Sequence, residues 1–385
     1  MRVFKGMIIF ILMILFTVIY FNVSAIHCAE IAPTLLGSFM VLLAYLAYIF
    51  YGFPKFKPTP IQVTLIRGLI AMMIVYFAAV YIFGAFAGYE RIIYNTKTII
   101  PAITTAITII ATEIVRYIMI NGNRDTGIFP WLVTIGIIAI ETVTVLDVNT
   151  LVSTESVLVY LVTIFTPLVL RNLLLTVYSH HVSFRLALAY ALIMVEYKLV
   201  MPVVPNLDDF IYCYADVIIS FLALIMAYRV ISKNYEGYSM ITLKDGFSVL
   251  DTLLFIVFFS LGTLISGVTP LQIYVATANS NTTPITKGDG PIVLKGVKED
   301  GLEEGSKILY KEEDGTKKLY SVSEIKVIKK TNEKEIDKIE IYVLNDKKES
   351  VLIDNKRIYA KVLMNMKYVF VPTIYINNYI NGGIK

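Results

Sequence analysis

The sequence predicts a polytopic α-helical membrane domain of about nine transmembrane helices, followed by a small, mainly β extracytoplasmic domain. Hydrophobic residues make up 57% of the 385-residue chain, and the mean hydropathy of +0.69 exceeds what a soluble core requires. The charged residues are concentrated in the C-terminal part of the chain, where residues 271–385 hold 35 of the 64 Asp, Glu, Lys and Arg. We therefore divide the chain into residues 1–269 and 270–385.

The membrane domain is predicted from the length of its apolar segments. A hydrocarbon core of roughly 30 Å is crossed by about 20 apolar residues in a helix. The segments that fit this length are 6–26, 32–53, 62–87, 98–120, 128–148, 157–178, 183–204, 209–231 and 248–268. The first follows Arg2 and Lys5, as in a signal peptide, but its apolar run is too long for a cleaved segment. We predict that it is retained as a helix.

The distribution of Lys and Arg predicts the orientation. Cations fall in the N-terminal tail and in every second connection, whereas the other connections are poor in cations and carry Glu30, Glu90 and Glu155. The cations are Arg2, Lys5, Lys55, Lys57, Arg67, Arg116, Arg124, Arg171, Arg185, Arg229, Lys233 and Lys244. The positive-inside rule then places the N-terminus in the cytoplasm and the C-terminal domain outside a plasma membrane that the chain crosses several times.

The C-terminal domain contains short runs typical of strands, separated by clusters of Gly, Lys and Glu. Alternation of apolar and polar residues in KIEIYVL and YSVSEIKVI predicts half-buried strands. The runs are LQIYVATA, GPIVLKGV, SKILYKEE, KLYSVSEIKVIKK, DKIEIYVLND, ESVLI, RIYAKVLM and YVFVPTIYI.

Several classes of function are disfavoured by composition. The net charge of +4 is small and interspersed with acids, so we predict no nucleic-acid partner. Cys28 and Cys213 are too far apart in sequence for a disulfide framework or a Cys-based metal site. His180 and His181 have no further ligand nearby, and zinc requires three or four. We therefore predict that the protein holds neither a metal nor a cofactor. Its apolar segments predict that the lipid bilayer is one of its partners.

Ionisable residues inside the apolar segments are the next candidates. Glu113 and Arg116 are three residues apart, so on a helix they share a face and can pair. The others are Glu141, Glu196, Lys198 and Asp216. Buried charges in membranes suggest function by default. The alternative is that Arg116 and Lys198 extend from helix ends towards water while the acids pair with them, which their scattered positions favour.

The run GVTPLQIYVATANSNTTPITKGDGPIVLKG resembles type I signal peptidases, in which a membrane helix is followed by the motif S-x-S-M-x-P-x-I-x-x-G-D. Aligned without a gap, Ser280 falls on the nucleophile, Ile285 on the apolar position and Gly288-Asp289 on the Gly-Asp. Aligning Pro284 with the proline of the motif instead places Asn281 at the nucleophile. The resemblance implies a β-rich peptidase domain, of the archaeal and endoplasmic-reticulum type, that acts on signal peptides.

The resemblance extends over about residues 165–365. In the closing block, Asp346 matches an aspartate of the family. In KLYSVSEIKVIKK, the position of the catalytic base is Ser323, although the family has His or Lys there, and no His occurs in residues 182–385. A serine hydroxyl needs a base to become a nucleophile. Lys326 or Lys287 could supply one if burial lowered its pKa.

Three hypotheses follow. The chain is a signal-peptidase homologue that handles exported proteins, binding signal peptides or other extended segments, without the usual Ser–His or Ser–Lys dyad. Alternatively it is an active serine signal peptidase that uses Ser280 and a Lys base. The third hypothesis is a transporter or envelope-assembly protein with an exported cap domain. The missing base favours the first hypothesis over the second.

Overall fold

A computed structural model describes most of the chain. The described residues are 2–24, 32–54, 60–123, 127–145, 157, 160–207, 209–235, 248–276, 280, 283–287, 289–297, 301–313, 316–328, 338–344 and 349–366. They form two compact units, one of residues 1–206 and 212–259, the other of residues 207–211 and 260–385. The predicted boundary at 269/270 follows the last helix, whereas the units divide inside that helix.

Each predicted membrane segment contains a helix. The helices are α1 Arg2–Ser24, α2 Ala32–Tyr51, α3 Pro60–Ala87, α4 Thr96–Gly122, α5 Phe129–Val145, α6 Thr166–His181, α7 Phe184–Val200, α8 Asp209–Tyr235 and α9 Val249–Ser266. A π-helical turn, Leu161–Phe165, leads into α6. Two short strands, β1 Tyr89–Arg91 and β2 Val203–Pro205, pair antiparallel.

The helices have the dimensions of membrane spans. Within the described residues, seven helices are long and apolar enough to cross a bilayer, counting the π-turn with α6. The helices α5 and α7 have 17 residues each, the short end of the spanning range. The chain is therefore a membrane protein.

Small residues let these helices approach closely. Lipid is as apolar as a leucine side chain, so packing rather than water exclusion holds membrane helices together. A Cβ added to Gly37 of α2 would lie 2.9 Å from Thr108 Oγ1 of α4, and one added to Gly136 of α5 would lie 3.0 Å from Met13 Cε of α1. Glycine at these positions brings α2 against α4 and α1 against α5.

The second unit contains a seven-stranded antiparallel sheet, as the alternating pattern predicted. The strands are β3 Leu271–Ile273, β4 Gly290–Lys295, β5 Lys307–Lys311, β6 Lys317–Ile328, β7 Lys338–Leu344, β8 Ser350–Ile353 and β9 Ile358–Met366. Their order in the sheet is β3-β4-β9-β5-β6-β7-β8. The eighth predicted strand, YVFVPTIYI, lies outside the described residues.

Both faces of the sheet are packed. Neighbouring residues of a strand point to opposite faces, and on β5 Leu309 joins one buried cluster while Ile308 joins the other. The first cluster also contains Tyr274, Ala276, Ile285, Val293, Leu319 and Ala360. The Ser280 loop lies between Tyr274, which follows β3, and the start of β4, and the side chain of Ile285 is buried in this cluster.

Three β-bulges modify the register of the sheet. One leaves Ser323 as the extra residue of β6 opposite β7, a second leaves Tyr359 as the extra residue of β9 opposite β5, and a third lies in β9 opposite Ile292 and Val293. A bulge redirects the side chains around it. Two of the residues that bear on function, Ser323 and Tyr359, lie at such points.

Candidate functional site

The Ser280 loop is closed by hydrogen bonds within itself. The amide of Thr283 donates to Ser280 Oγ (3.1 Å), and the amide of Ser280 donates to the carbonyl of Ile285 (3.0 Å). A serine hydroxyl that accepts an amide three residues later stabilises a turn. Ser280 Oγ therefore has a structural role in the loop, whatever chemistry it performs.

Asp289 holds the end of the loop. Its side chain is buried, and Oδ2 accepts the amide of Thr286 (3.0 Å) and the side-chain amide of Asn365 on β9 (2.9 Å). The amide of Asp289 donates back to the carbonyl of Thr286 (3.0 Å). A buried carboxylate with two donors is well stabilised. Asp289 therefore ties the end of the Ser280 loop to β9.

Ser323, which the resemblance places at the expected position of the base, has a hydroxyl that bonds to another hydroxyl. Ser350 Oγ, at the start of β8, donates to Ser323 Oγ (3.1 Å). Two hydroxyl groups have no proton acceptor of the strength that His or Lys provides. Asp346, Asn281 and Gly288 lie outside the described residues.

The two lysines predicted as substitute bases are both exposed. Lys326 pairs with Glu324 on the same strand (Nζ to Oε2, 3.3 Å) and lies over the ring of Tyr342. Lys287 is exposed in the Ser280 loop. Burial lowers the pKa of a lysine only where water is excluded. The structure therefore removes the reason for choosing either of them.

A different lysine, Lys317, is partly buried in this domain. Lys317 of β6 donates to Tyr274 Oη (2.7 Å), and its Nζ lies 4.7 Å from the ring centre of Tyr274 and 4.6 Å from that of Tyr359. Lys295 of β4 lies over the Tyr359 ring from a second direction (5.3 Å). The bulge at Tyr359 accompanies this arrangement. We name Tyr274, Lys295, Lys317 and Tyr359 the Lys-Tyr cluster.

The cluster alters the pKa of its members. Burial lowers the pKa of Lys317 below its ordinary value of 10.5 and raises the pKa of Tyr274. For Tyr359, burial is outweighed by hydrogen bonds from Tyr274 and Lys295 and by the nearby ammonium charges, which together lower the pKa. The lowered pKa leaves a larger fraction of Lys317 as the neutral amine, which is the form that can accept a proton.

We expect Lys317 to titrate below pH 10.5. Amine acylation followed by mass spectrometry across a pH series measures the midpoint directly. Since the unfolded chain then binds the proton more tightly than the folded chain, this group makes stability rise with pH from the folded midpoint to 10.5. A midpoint at or above 10.5 would contradict the assignment. Tyr274→Phe is the control variant, because it removes the hydroxyl that accepts from Lys317 and keeps the aromatic ring. It separates the effect of the hydrogen bond on the pKa of Lys317 from the effect of burial.

The second candidate site is a buried polar network in the membrane domain. Arg116 of α4 is fully buried, and its Nε donates to Glu113 Oε1 (3.1 Å), as their spacing predicted. The remaining nitrogens donate to Asn172 and Thr176 of α6. These bonds are Nη1 to the Asn172 carbonyl (3.1 Å) and to Thr176 Oγ1 (3.0 Å), and Nη2 to Asn172 Oδ1 (2.6 Å).

A second ion pair adjoins the first. Arg171 Nη2 donates to Glu141 Oε2 (3.0 Å), and Asn172 Nδ2 donates to the same oxygen (2.7 Å). Asn172 thus links the two ion pairs. Buried charges are tolerated in a membrane when they pair and their remaining groups are hydrogen-bonded. We name Glu113, Arg116, Glu141, Arg171 and Asn172 the intramembrane network.

Two expectations about these charges were wrong. Arg116 does not extend towards water, because Asn172 and Thr176 give its guanidinium acceptors inside the bundle. The charged residues are also less scattered than their sequence positions suggested, since α4, α5 and α6 bring Glu113 and Glu141 to one region. Arg116 and Arg171 therefore lie within helices and not in the connecting segments. The predicted orientation depends on the remaining Lys and Arg of those segments.

The structure also describes the other ionisable residues predicted from the sequence. Lys198 lies over the ring of Tyr212 (3.4 Å from Nζ to the ring centre), and Asp216 of α8 interacts electrostatically with Arg171. Glu196 of α7 is buried. The rings of His180 and His181 lie 4.4 Å apart, and both residues line a cavity of about 260 Å³. No group of three or more His, Cys, Asp or Glu suited to a metal is found in the described part of the chain.

A cavity of about 70 Å³ lies beside the intramembrane network, between α2, α4, α5, α6 and α7. Glu113, Glu141 and Arg171 line it, together with Thr108 and Thr112. The rest of the lining is apolar. The cavity has room for a few water molecules or a ligand of a few heavy atoms, and it is smaller than the sites that bind drug-sized molecules.

Comparison of the chain with known protein families, curated proteins and solved structures finds no match.

The sequence did not indicate Lys317 or Asn172. Lys317 is two residues before Leu319 on β6, so the strand period of two places it on the same face as that buried side chain. That pattern could have identified it. Asn172 offered no such pattern, because its partners Arg116 and Glu141 are 56 and 31 residues away.

Proposed function

We propose that this chain is an integral-membrane homologue of signal peptidase I that handles exported proteins at the outer face of the membrane without the usual Ser–His or Ser–Lys dyad. The observation that carries the proposal is the pair of hydroxyls at the two dyad positions. Ser280 Oγ accepts the amide of Thr283, and Ser323 Oγ accepts a hydrogen bond from Ser350. Neither described contact supplies the His or Lys base that hydrolysis by this family requires.

The edge of the sheet at β8 suits an extended ligand. The described strands end there, and the side chains of Val351 and Leu352 are 43% and 49% exposed. An extended peptide binds an exposed sheet edge by forming backbone hydrogen bonds as an additional strand. We propose that signal peptides or other extended exported segments bind to β8 in this way.

The location on the outer face rests on sequence and chain length. The cations that remain outside the intramembrane network still favour a cytoplasmic N-terminus. Only residues 267–270 separate α9 from β3, which is at most about 18 Å of chain. The β domain would therefore meet its ligands close to the bilayer surface of a plasma membrane.

The Lys-Tyr cluster favours a second candidate, an active serine peptidase in which Lys317 is the base. Burial lowers the pKa of Lys317, which a lysine base requires. In that case Ser280→Ala and Lys317→Met would each abolish cleavage. Lys317 would have to lose a proton first, however, because an ammonium nitrogen has no lone pair with which to accept a proton from Ser280.

Cleavage distinguishes the two candidates. We expect the purified full-length protein not to cleave a signal-peptide-bearing precursor. The amount of intact precursor should be the same after incubation with the wild type and with Ser280→Ala. We also expect both proteins to bind a fluorescently labelled signal peptide with affinities within twofold of each other. Cleavage that disappears in Ser280→Ala would overturn the proposal and establish the second candidate.

The β8 edge is tested by charge. Val351→Lys combined with Leu352→Lys is expected to weaken peptide binding about tenfold, because lysines on an edge strand oppose the addition of another strand. Met364→Lys is the matched control, since Met364 is 57% exposed but lies on β9. Equal affinities for the edge variant and the wild type would exclude β8 as the binding edge.

A further inference from the structure

The cavity beside the intramembrane network presents mainly hydrogen-bond acceptors. Thr108 Oγ1 donates its proton to the carbonyl of Thr104 (2.9 Å), and Thr112 Oγ1 donates to the carbonyl of Thr108 (2.8 Å). The hydroxyl protons are thus used within α4. What the two oxygens can offer to a ligand in the cavity is their acceptor capacity.

Glu113 adds an acceptor with negative charge. Its side chain is 2% exposed, and Oε1 is bonded to Arg116. Oε2 is buried and has no hydrogen-bond partner among the described residues. A carboxylate oxygen shielded from water in this way is unfavourable unless a donor reaches it. Because Glu113 lines the cavity, a ligand in the cavity could supply a hydrogen-bond donor to Oε2.

The charges around the cavity favour a cationic ligand over an anionic one. The lining has two carboxylates, Glu113 and Glu141, and one guanidinium, that of Arg171. Arg171 already donates to Glu141, and the two side chains are 30% and 28% exposed. An anion would have to approach both carboxylates to reach Arg171. Arg116 already balances the charge of Glu113 through Oε1, but Oε2 is left without a donor among the described residues, so a cation that carries N–H groups can satisfy it.

We infer that this cavity binds a small primary ammonium ion, with Glu113 Oε2 as its counter-ion and the Thr108 and Thr112 hydroxyls as further acceptors. An ammonium group has three donors, which matches the three acceptor oxygens on α4. The apolar part of the lining suits a short alkyl substituent. This inference does not depend on the function proposed for the β domain.

Thermal unfolding of the purified full-length protein in detergent tests the inference. Methylammonium chloride is expected to raise the melting temperature saturably, as a ligand of the folded state does. Tetramethylammonium has the same charge but no donors, and at equal ionic strength it should produce no saturable rise. Sodium and potassium chloride complete the series.

Two variants localise the effect. Glu113→Gln is expected to raise the methylammonium concentration at half-saturation at least tenfold, because it removes the charge. Thr108→Val, which removes an acceptor at nearly constant volume, should raise it about threefold and decides the question if Glu113→Gln does not fold. Glu196→Gln is the matched control, since Glu196 is buried in α7, has an oxygen without a hydrogen bond among the described residues and does not line the cavity.

Three outcomes would overturn the inference. An equal rise with all four salts would be a general salt effect. A rise specific to sodium or potassium would assign the cavity to a metal ion. A methylammonium effect that both Glu113→Gln and Thr108→Val leave unchanged would place binding elsewhere in the molecule.

Discussion

Replacing Arg116 by leucine is expected to destabilise the membrane domain by about 3–5 kcal/mol, because it breaks a buried ion pair from one side. The guanidinium of Arg116 donates to Glu113, Asn172 and Thr176. Its loss leaves the Glu113 carboxylate without a cation where water is excluded. The measurement is unfolding of the purified protein in mixed detergent micelles.

A double variant separates the charge from the packing. Glu113→Leu combined with Arg116→Leu removes both charges, so it should recover much of the stability that Arg116→Leu loses. Arg357→Ala is the control for an exposed pair. Arg357 Nη2 lies 3.0 Å from Glu313 Oε1, but Glu313 is 83% exposed, and such exposed pairs contribute little to stability.

The double variant also has an outcome that contradicts this view. If Arg116→Leu and the double variant unfold together, at a midpoint well below that of the wild type, the acceptors on α6 matter more than Glu113. Asn172 would then be the residue that Arg116 stabilises. Wild-type stability in Arg116→Leu would show that the network contributes nothing to folding.

The helices could be predicted because the bilayer imposes one requirement on all of them. Backbone groups in hydrocarbon must be satisfied within the segment, so a long apolar run becomes a helix. The same requirement does not determine which helices are neighbours. Arg116 finds Asn172 across 56 residues of sequence, and the period of α4 alone reveals only Glu113.

The strands could be predicted from alternation, but the bulges could not. A period of two assigns each side chain to a face only while the register is unbroken. Ser323 and Tyr359 are extra residues in their strands. The resemblance to signal peptidases identified Ser323 as the base position, yet only the register places its hydroxyl against Ser350.

The glycine after α9 should tolerate substitution least among the glycines of the β-domain unit. Gly267 has φ +76, a left-handed conformation that costs an L residue about 1–2 kcal/mol. A Cβ there would lie 1.9 Å from Gln272 Nε2. Gln272 is fully buried at the start of the sheet, so its amide cannot move into water, and overpacking adds about 1–3 kcal/mol.

We therefore expect Gly267→Ala to destabilise the β domain by about 2–5 kcal/mol, measured by its resistance to proteolysis in the full-length protein. Gly296→Ala is the matched control, because Gly296 has φ +68 and no atom within 4 Å of an added Cβ. The control should show only the conformational cost. Equal effects of the two variants would mean that Gln272 moves aside freely. A larger effect at Gly267 would show that the side chain of Gln272 cannot move away from the turn between α9 and β3. A second contact holds the same turn, because Lys295 Nζ of β4 donates to the Gly267 carbonyl (2.5 Å).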